Sequence, residues 1–141
     1  MNQSDTKTST ESESKKGSIL LVDDDKFLLD MYGMKFSQKG YTVEACLSAK
    51  EALGILRGGF KTDVILFDLT MPELDGFSFL KALSDEHLGD GALKTALTNQ
   101  SDESERAKAA ELGATGYIVK ASMIPSEVVN TITEALAKHR A

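Results

Sequence analysis

From Gly17 onward the chain alternates between two patterns of apolar and polar positions. Short unbroken apolar runs occur at Ile19-Leu20-Leu21-Val22 and Val64-Ile65-Leu66-Phe67. Runs of this length suit strands buried on both faces, as in a parallel sheet. Tyr41–Cys46, Leu93–Leu97 and Tyr117–Val119 are weaker strand candidates. The intervals between them carry helical spacing. Phe27, Leu28, Met31 and Met34–Phe36 recur at that spacing and stop near Gly40. Ser48-Ala49-Lys50-Glu51 has the spacing of a capping box, followed by Ala52, Leu53, Ile55 and Leu56 and ended by Gly58-Gly59. Asp75 can cap a third helix bearing Phe77, Leu80 and Leu83. Ser101 precedes Asp102, Glu103 and Glu105, acids suited to the positive end of a fourth helix that should end at Gly113. The fifth helix should start near Pro125 and bury Val128, Val129, Ile132 and Leu136 on one stripe.

Five strand–helix units in strict alternation predict a three-layer α/β/α sandwich with right-handed crossovers. The flavodoxin-like, doubly wound parallel sheet with strand order 2-1-3-4-5 is the expected arrangement.

Composition narrows the function. The chain has 141 residues, 41% apolar and 27% charged, which is enough for one globular domain without a disulfide or structural metal. Its single cysteine, Cys46, cannot pair internally, which suggests a reducing, cytoplasmic setting. No apolar run approaches the roughly 20 residues of a membrane span. The net charge of −6 argues against direct nucleic-acid binding and against membrane-surface binding. Residues 1–16 hold three acids and three bases, so the whole −6 belongs to residues 17–141. Seven of those first 16 residues are Ser or Thr, with no aliphatic residue beyond Met1, and a disordered tail is expected there.

The acids collect where such a sheet does its work, beyond the carboxyl ends of its strands. Asp23-Asp24-Asp25 follows the first apolar run and Asp68 follows the third. In a 2-1-3 order these strands are neighbours, so their carboxylates share one pocket. Helix capping alone would explain one such acid more readily than acids on two adjacent strands. Two carboxylates about 4 Å apart repel by roughly 4 kcal/mol at an effective dielectric near 20. Either one stays protonated or a cation sits between them. Hard oxygen donors without clustered His or Cys favour Mg²⁺ or Mn²⁺. His87 and His139 each fall near a helix C-terminus, where a histidine complements the dipole.

The fourth strand ends at Thr98 and the fifth at Lys120, which adds a hydroxyl and an ammonium to the same rim. A carboxylate nucleophile, a divalent ion, a hydroxyl donor and a lysine are the parts needed to handle a phosphoryl group. Thr98 can donate to one phosphoryl oxygen and Lys120 can pair with another.

At these residues the sequence resembles the receiver domain of two-component response regulators. The resemblance rests on Ile19–Asp25, on Asp63–Gly76 with its Asp-Leu-Thr-Met-Pro-Glu-Leu-Asp-Gly stretch, on Thr98, and on Gly113–Lys120. It covers essentially all of residues 17–141. It implies that Asp68 accepts a phosphoryl group from the phosphohistidine of a sensor histidine kinase or a histidine phosphotransfer protein. It implies Mg²⁺ held by Asp23, Asp24, Asp68 and the backbone carbonyl of Thr70. Thr98 would then move toward the phosphoryl group and Tyr117 would turn inward as the switch aromatic. The face of the fourth helix, fifth strand and fifth helix would be read by a downstream protein target. Such a protein catalyses only its own phosphorylation and dephosphorylation.

Two positions depart from the family pattern. Asn99 stands where a small residue is usual, and its amide is expected to narrow the path to Asp68 and slow phosphorylation by small donors. Ala121 stands where proline usually follows the lysine in a cis peptide. A cis bond to a non-proline residue costs roughly 2.5–4 kcal/mol, so Lys120–Ala121 is either trans with a shifted loop or cis and strained. Other functions fit less well. A haloacid-dehalogenase-type phosphatase needs an acid two residues after its nucleophile, and Thr70 is there instead. A flavin or nucleotide binder would not place Asp23-Asp24-Asp25 in its phosphate loop. A pseudo-receiver without phosphotransfer would not need all five site positions filled. No DNA-binding helix pair or second catalytic domain follows the fifth helix, so the chain reads as a stand-alone receiver or as one cut from a longer regulator. Monomer and phosphorylation-dependent homodimer both stay open.

Overall fold

The computed structural model describes residues 17–140. The tail expected at residues 1–16 lies outside the described residues. Five strands, β1 (Gly17–Val22), β2 (Tyr41–Cys46), β3 (Val64–Asp68), β4 (Leu93–Thr98) and β5 (Gly116–Val119), alternate with five helices. The helices are α1 (Lys26–Gln38), α2 (Ala49–Arg57), α3 (Gly76–Glu86), α4 (Glu103–Glu111) and α5 (Pro125–Arg140). All strand pairs are parallel and the order is β2-β1-β3-β4-β5, the expected flavodoxin-like sheet.

Alternation along the strands sorts the core into two layers. Ile19 and Leu21 of β1, Val64 and Leu66 of β3, and Leu93 and Leu97 of β4 pack under α1 and α5. Leu20, Val22, Ile65, Phe67 and Ala96 face α2, α3 and α4. Because β3 is buried along its whole length, Asp68 enters the interior as the last residue of a central strand. The strand register ends at Val22 opposite Phe67, so Asp23 and Asp68 leave neighbouring strands at one level.

The caps largely follow the sequence. Asp25 accepts from Leu28 N–H, Asp75 from Ser78 N–H, and Asp102 from Ser104 and Glu105 N–H. Ser48 accepts from Glu51 N–H, but the Glu51 carboxylate reaches back to Leu47 N–H rather than to the cap residue itself. The stripe on α5 is the expected one: Val128, Val129, Ile132 and Leu136 are buried.

The stripe on α1 differs. Leu29, Tyr32 and Phe36 are buried, whereas Phe27 is 74% and Met34 58% exposed. The segment is apolar on more than one face, so its spacing alone admits several stripes. The Asp25 cap and the packing against α5 select one of them.

Candidate functional site: an acid pocket at the carboxyl rim

Asp23 and Asp68 are buried, 1% and 3% exposed, whereas Asp24 is exposed at the lip. One carboxylate oxygen from each of the three lies within 4.8 Å of the others. Backbone groups orient the two buried acids. Asp23 Oδ1 accepts from Asp25 N–H at 2.9 Å, and Asp68 Oδ1 accepts from Thr70 N–H at 3.1 Å. Their second oxygens face the Lys120 ammonium, which stands 2.8 Å from Asp23 Oδ2 and 3.1 Å from Asp68 Oδ2.

The two contacts of Lys120 are not equivalent. That to Asp68 is a directed hydrogen bond. That to Asp23 is a close ion pair without hydrogen-bond alignment, so Asp23 Oδ2 is a buried oxygen with no directed donor. Burial is the largest influence on Asp68 and pushes its carboxyl up to about 6, although the Thr70 N–H and the Lys120 charge pull the other way. For Lys120, burial opposes the charge, yet the carboxylates of Asp23 and Asp68 outweigh it and hold the ammonium above its ordinary range.

Gly76 explains how α3 can start directly beneath the end of β3. Its N–H donates to Leu69 O at 2.9 Å, and a Cβ at this position would lie 2.7 Å from both Asp68 O and Leu69 Cα. Any other residue would push α3 away from the end of β3.

Thr98 is buried beside the pocket, one residue past the Asp68–Leu97 register pair. Its hydroxyl donates to Gln100 O at 3.1 Å and is turned away from the carboxylates. Tyr117 is half-buried on β5; its hydroxyl donates to Asp102 O at 3.4 Å, and the Arg106 guanidinium covers its ring at 4.9 Å. Tyr117 is thus linked to the first turn of α4 rather than to the acid pocket. Thr70 and Asn99 are exposed on the loops flanking the pocket.

No described peptide bond is cis, so Lys120–Ala121 is trans, and residues Lys120–Ser122 form a single 3₁₀ turn. Of the two outcomes open from sequence, the trans bond with a local rearrangement is the one observed. The lysine still reaches both buried acids. The histidines stay out of the pocket: His139 Nε2 lies 2.8 Å from Gly91 O, and His87 closes α3 in the left-handed region.

Sequence reasoning did not single out Tyr32, a buried phenol on α1 that feels the charges of Lys120, Asp23, Asp68 and Asp25. Its position seven residues after Asp25, on the same helix face, was the available signal.

Three clustered carboxylates and a buried lysine at the carboxyl rim of a parallel α/β sheet form an acidic pocket with one cation in its wall. Residues 19–133 match the response regulator receiver domain, and the chain belongs to that family. It is 32% identical over 120 residues to the response regulator SaeR of Staphylococcus epidermidis and 31% identical to that of Staphylococcus aureus. These alignments cover 85% of this chain and 50% of each relative, so the chain spans about half the length of the curated relatives it matches. Among solved structures, a CheY-like response regulator receiver domain protein from Methanospirillum hungatei superposes with a TM-score of 0.78 at 28% identity, covering 87% of this chain and 95% of that one. The receiver domain of a Francisella response regulator superposes with a TM-score of 0.76 at 26% identity, covering 89% and 99%. The family assigns the chain to two-component signalling as a phosphoaccepting receiver. Among the described residues, no helix is long and apolar enough to cross a membrane.

Proposed function

We propose that Asp68 is the phosphoaccepting residue and that transfer to it requires a divalent cation, Mg²⁺ or Mn²⁺. The phosphodonor in this reading is the phosphohistidine of a sensor histidine kinase or histidine phosphotransfer protein. A carboxylate oxygen of Asp68 forms the new P–O bond as the P–N bond to imidazole breaks, and the leaving imidazole takes up a proton. The chain turns over only its own phosphoryl group and has no other substrate.

The carrying observation is that three carboxylates, two of them buried, bring oxygens within 4.8 Å of one another beside a single ammonium. This donor set is all hard oxygen, which suits Mg²⁺ and not a soft metal. Asp23, Asp24 and Asp68 would hold the ion with the Thr70 carbonyl. When bound, the cation neutralises oxygen charge between Asp68 and the incoming phosphoryl group. Lys120 already donates to Asp68 and supplies a second positive charge there.

In this reading Thr98 leaves Gln100 O to donate to the phosphoryl group, and Tyr117 leaves Asp102 O to occupy the space vacated. That exchange would alter the face of α4, β5 and α5, where a downstream protein reads the state. Phe27, Leu47 and Ile124, 74%, 43% and 62% exposed, lie on loops or first turns at the same rim and support seating of a partner's apolar surface over the acid pocket.

Intact-mass spectrometry after acetyl phosphate or beryllofluoride with Mg²⁺ tests the assignment. One adduct on the wild type and none on Asp68→Asn is the expected result. A wild type unlabelled under both conditions overturns it in favour of an interaction module without phosphotransfer.

A further inference from the structure

Tyr117 and Thr98 lie on the same face of neighbouring strands: Tyr117 stands in register with Ala96, and Thr98 follows Ala96 by two residues. Ala96 is buried and brings only a methyl group to that register position. The contacts that hold the Tyr117 side chain away from the acid pocket come from α4. Its hydroxyl donates to Asp102 O at 3.4 Å, longer than the roughly 2.7–2.8 Å usual for such a bond. That carbonyl already accepts the Arg106 N–H at 2.9 Å. The better-formed contact is on the ring, where the Arg106 guanidinium lies 4.9 Å from the centroid. Among the described residues Arg106 forms no ion pair, although Glu103 stands three residues earlier on the same helix, a spacing at which such pairs form. The guanidinium is committed to the ring rather than to an acid of its own helix.

We infer that Arg106 is a positioning residue for Tyr117: its guanidinium holds the ring against α4 and so lowers the affinity of the resting chain for a phosphoryl group at Asp68. The inference rests on the reading that Asp68 accepts the phosphoryl group and that Tyr117 then leaves α4. A ligand that binds with the ring turned inward must first release the Arg106 contact. Its apparent dissociation constant therefore rises as the fraction of chains with an inward ring falls. An exposed cation–π contact is weak, and a weak contact is enough to bias two positions of one ring. The matching contact of Lys108 over Phe77, at 4.5 Å, joins α4 to α3 and touches no part of this switch. It provides the control.

The experiment measures the dissociation constant of beryllofluoride in saturating Mg²⁺, by calorimetric titration of the whole chain and its variants. Arg106→Ala is expected to bind about two- to fivefold more tightly than wild type, and Lys108→Ala to match wild type. In a Tyr117→Ala background, Arg106→Ala should change nothing, because the ring through which it acts is gone. Tyr117→Leu serves as the background should Tyr117→Ala not fold. Unchanged or weaker binding by Arg106→Ala overturns the inference. So does equal tightening in the Tyr117→Ala background or in Lys108→Ala, since either would mean a general loosening of α4. Beryllofluoride that binds none of these proteins overturns the phosphoacceptor reading and this inference with it. Binding that is equal across them overturns the inference alone.

Discussion

The two ends of this sheet treat their charges in opposite ways. At the amino end, the polar side chains have directed partners. Asp63 Oδ2 accepts from Ser18 N–H at 2.8 Å while its other oxygen pairs with Arg140 at 3.2 Å. The Thr62 hydroxyl donates toward Val64 O, Lys94 caps Gly89 O at 2.9 Å, and His139 meets Gly91 O. At the carboxyl end, three carboxylates converge on one ammonium and a buried oxygen lacks an aligned donor. The amino end is a closed polar network that stabilises the fold. The carboxyl end crowds three acids around one ammonium, an arrangement that a bound cation would relieve. Buried polar groups left unmatched are costly, so their position marks where the chain has given up stability for chemistry.

Breaking that contrast at its centre should have the largest effect. Asp68→Asn is expected to abolish labelling while keeping a cooperative melt, since it removes one of the crowded charges; labelling elsewhere in the variant would show a different acceptor. Loading the site should come next. Mg²⁺ at about a hundred times its dissociation constant stabilises by about 2.7 kcal/mol. The melting temperature should rise in the wild type, rise less in Asp24→Ala, and rise fully in a variant altered at the amino end. An equal response in wild type and Asp24→Ala would count against the carboxylate site.

Asp63→Ala supplies that amino-end control. It removes the acceptor of Ser18 N–H and an exposed partner of Arg140, and should cost about 1–2 kcal/mol with the Mg²⁺ increment intact. A lost increment would mean that the two ends are coupled.

The pH dependence separates the ends again. The Asp68 carboxyl titrates at about 6 in the folded chain, above its ordinary value of 3.8, so the folded state binds this proton more tightly than the unfolded state does. The contribution of this group to stability therefore rises as pH falls from about 6 toward 4, and it is lost as pH rises through about 6. Removing the titration with Asp68→Asn should flatten that part of the pH–stability curve; an unchanged curve would refute the raised value. Labelling needs the ionised form, so its rate should fall as pH drops below about 6. The smallest effect is at the lip. Asn99→Ala should accelerate labelling by acetyl phosphate a few-fold, equivalent to about 1 kcal/mol or less, and an unchanged rate would show that the exposed amide does not narrow the approach.

Much of this was legible because strand ends are legible. The run Val64–Phe67 could only be an interior strand, which placed Asp68 at its mouth, and Asp23 followed from the same logic one strand over. The stripe of α5 was readable because its polar face is continuous. That of α1 was not, since Phe27-Leu28-Leu29 offers three apolar positions in a row and only tertiary packing chooses among them. The direction of a hydroxyl is also beyond pattern: nothing in the residues around Thr98 says that it donates to Gln100 O. Tyr32 escaped notice for a related reason, because a tyrosine on an apolar stripe reads as core until its neighbours' charges are located. Energetics alone leaves the Lys120–Ala121 bond between two isomers, and the structure shows the trans one, followed by a 3₁₀ turn.

Only one residue of α4, Ala109, is buried, and six of its nine residues are polar or charged. A helix anchored by one buried methyl group and by the surface contacts of Arg106 with Tyr117 and Lys108 with Phe77 has little to lose by opening. In native-state hydrogen exchange, the amides of α4 should trade with solvent well before those of β1 and β3, whose side chains are almost fully enclosed. Asp23 and Asp68 thus end the segments expected to open last, and α4, part of the proposed output face, is expected to open early. A phosphoryl group at Asp68 would not need to deform a rigid body to be noticed. It would only have to re-weight a fluctuation that α4 already undergoes.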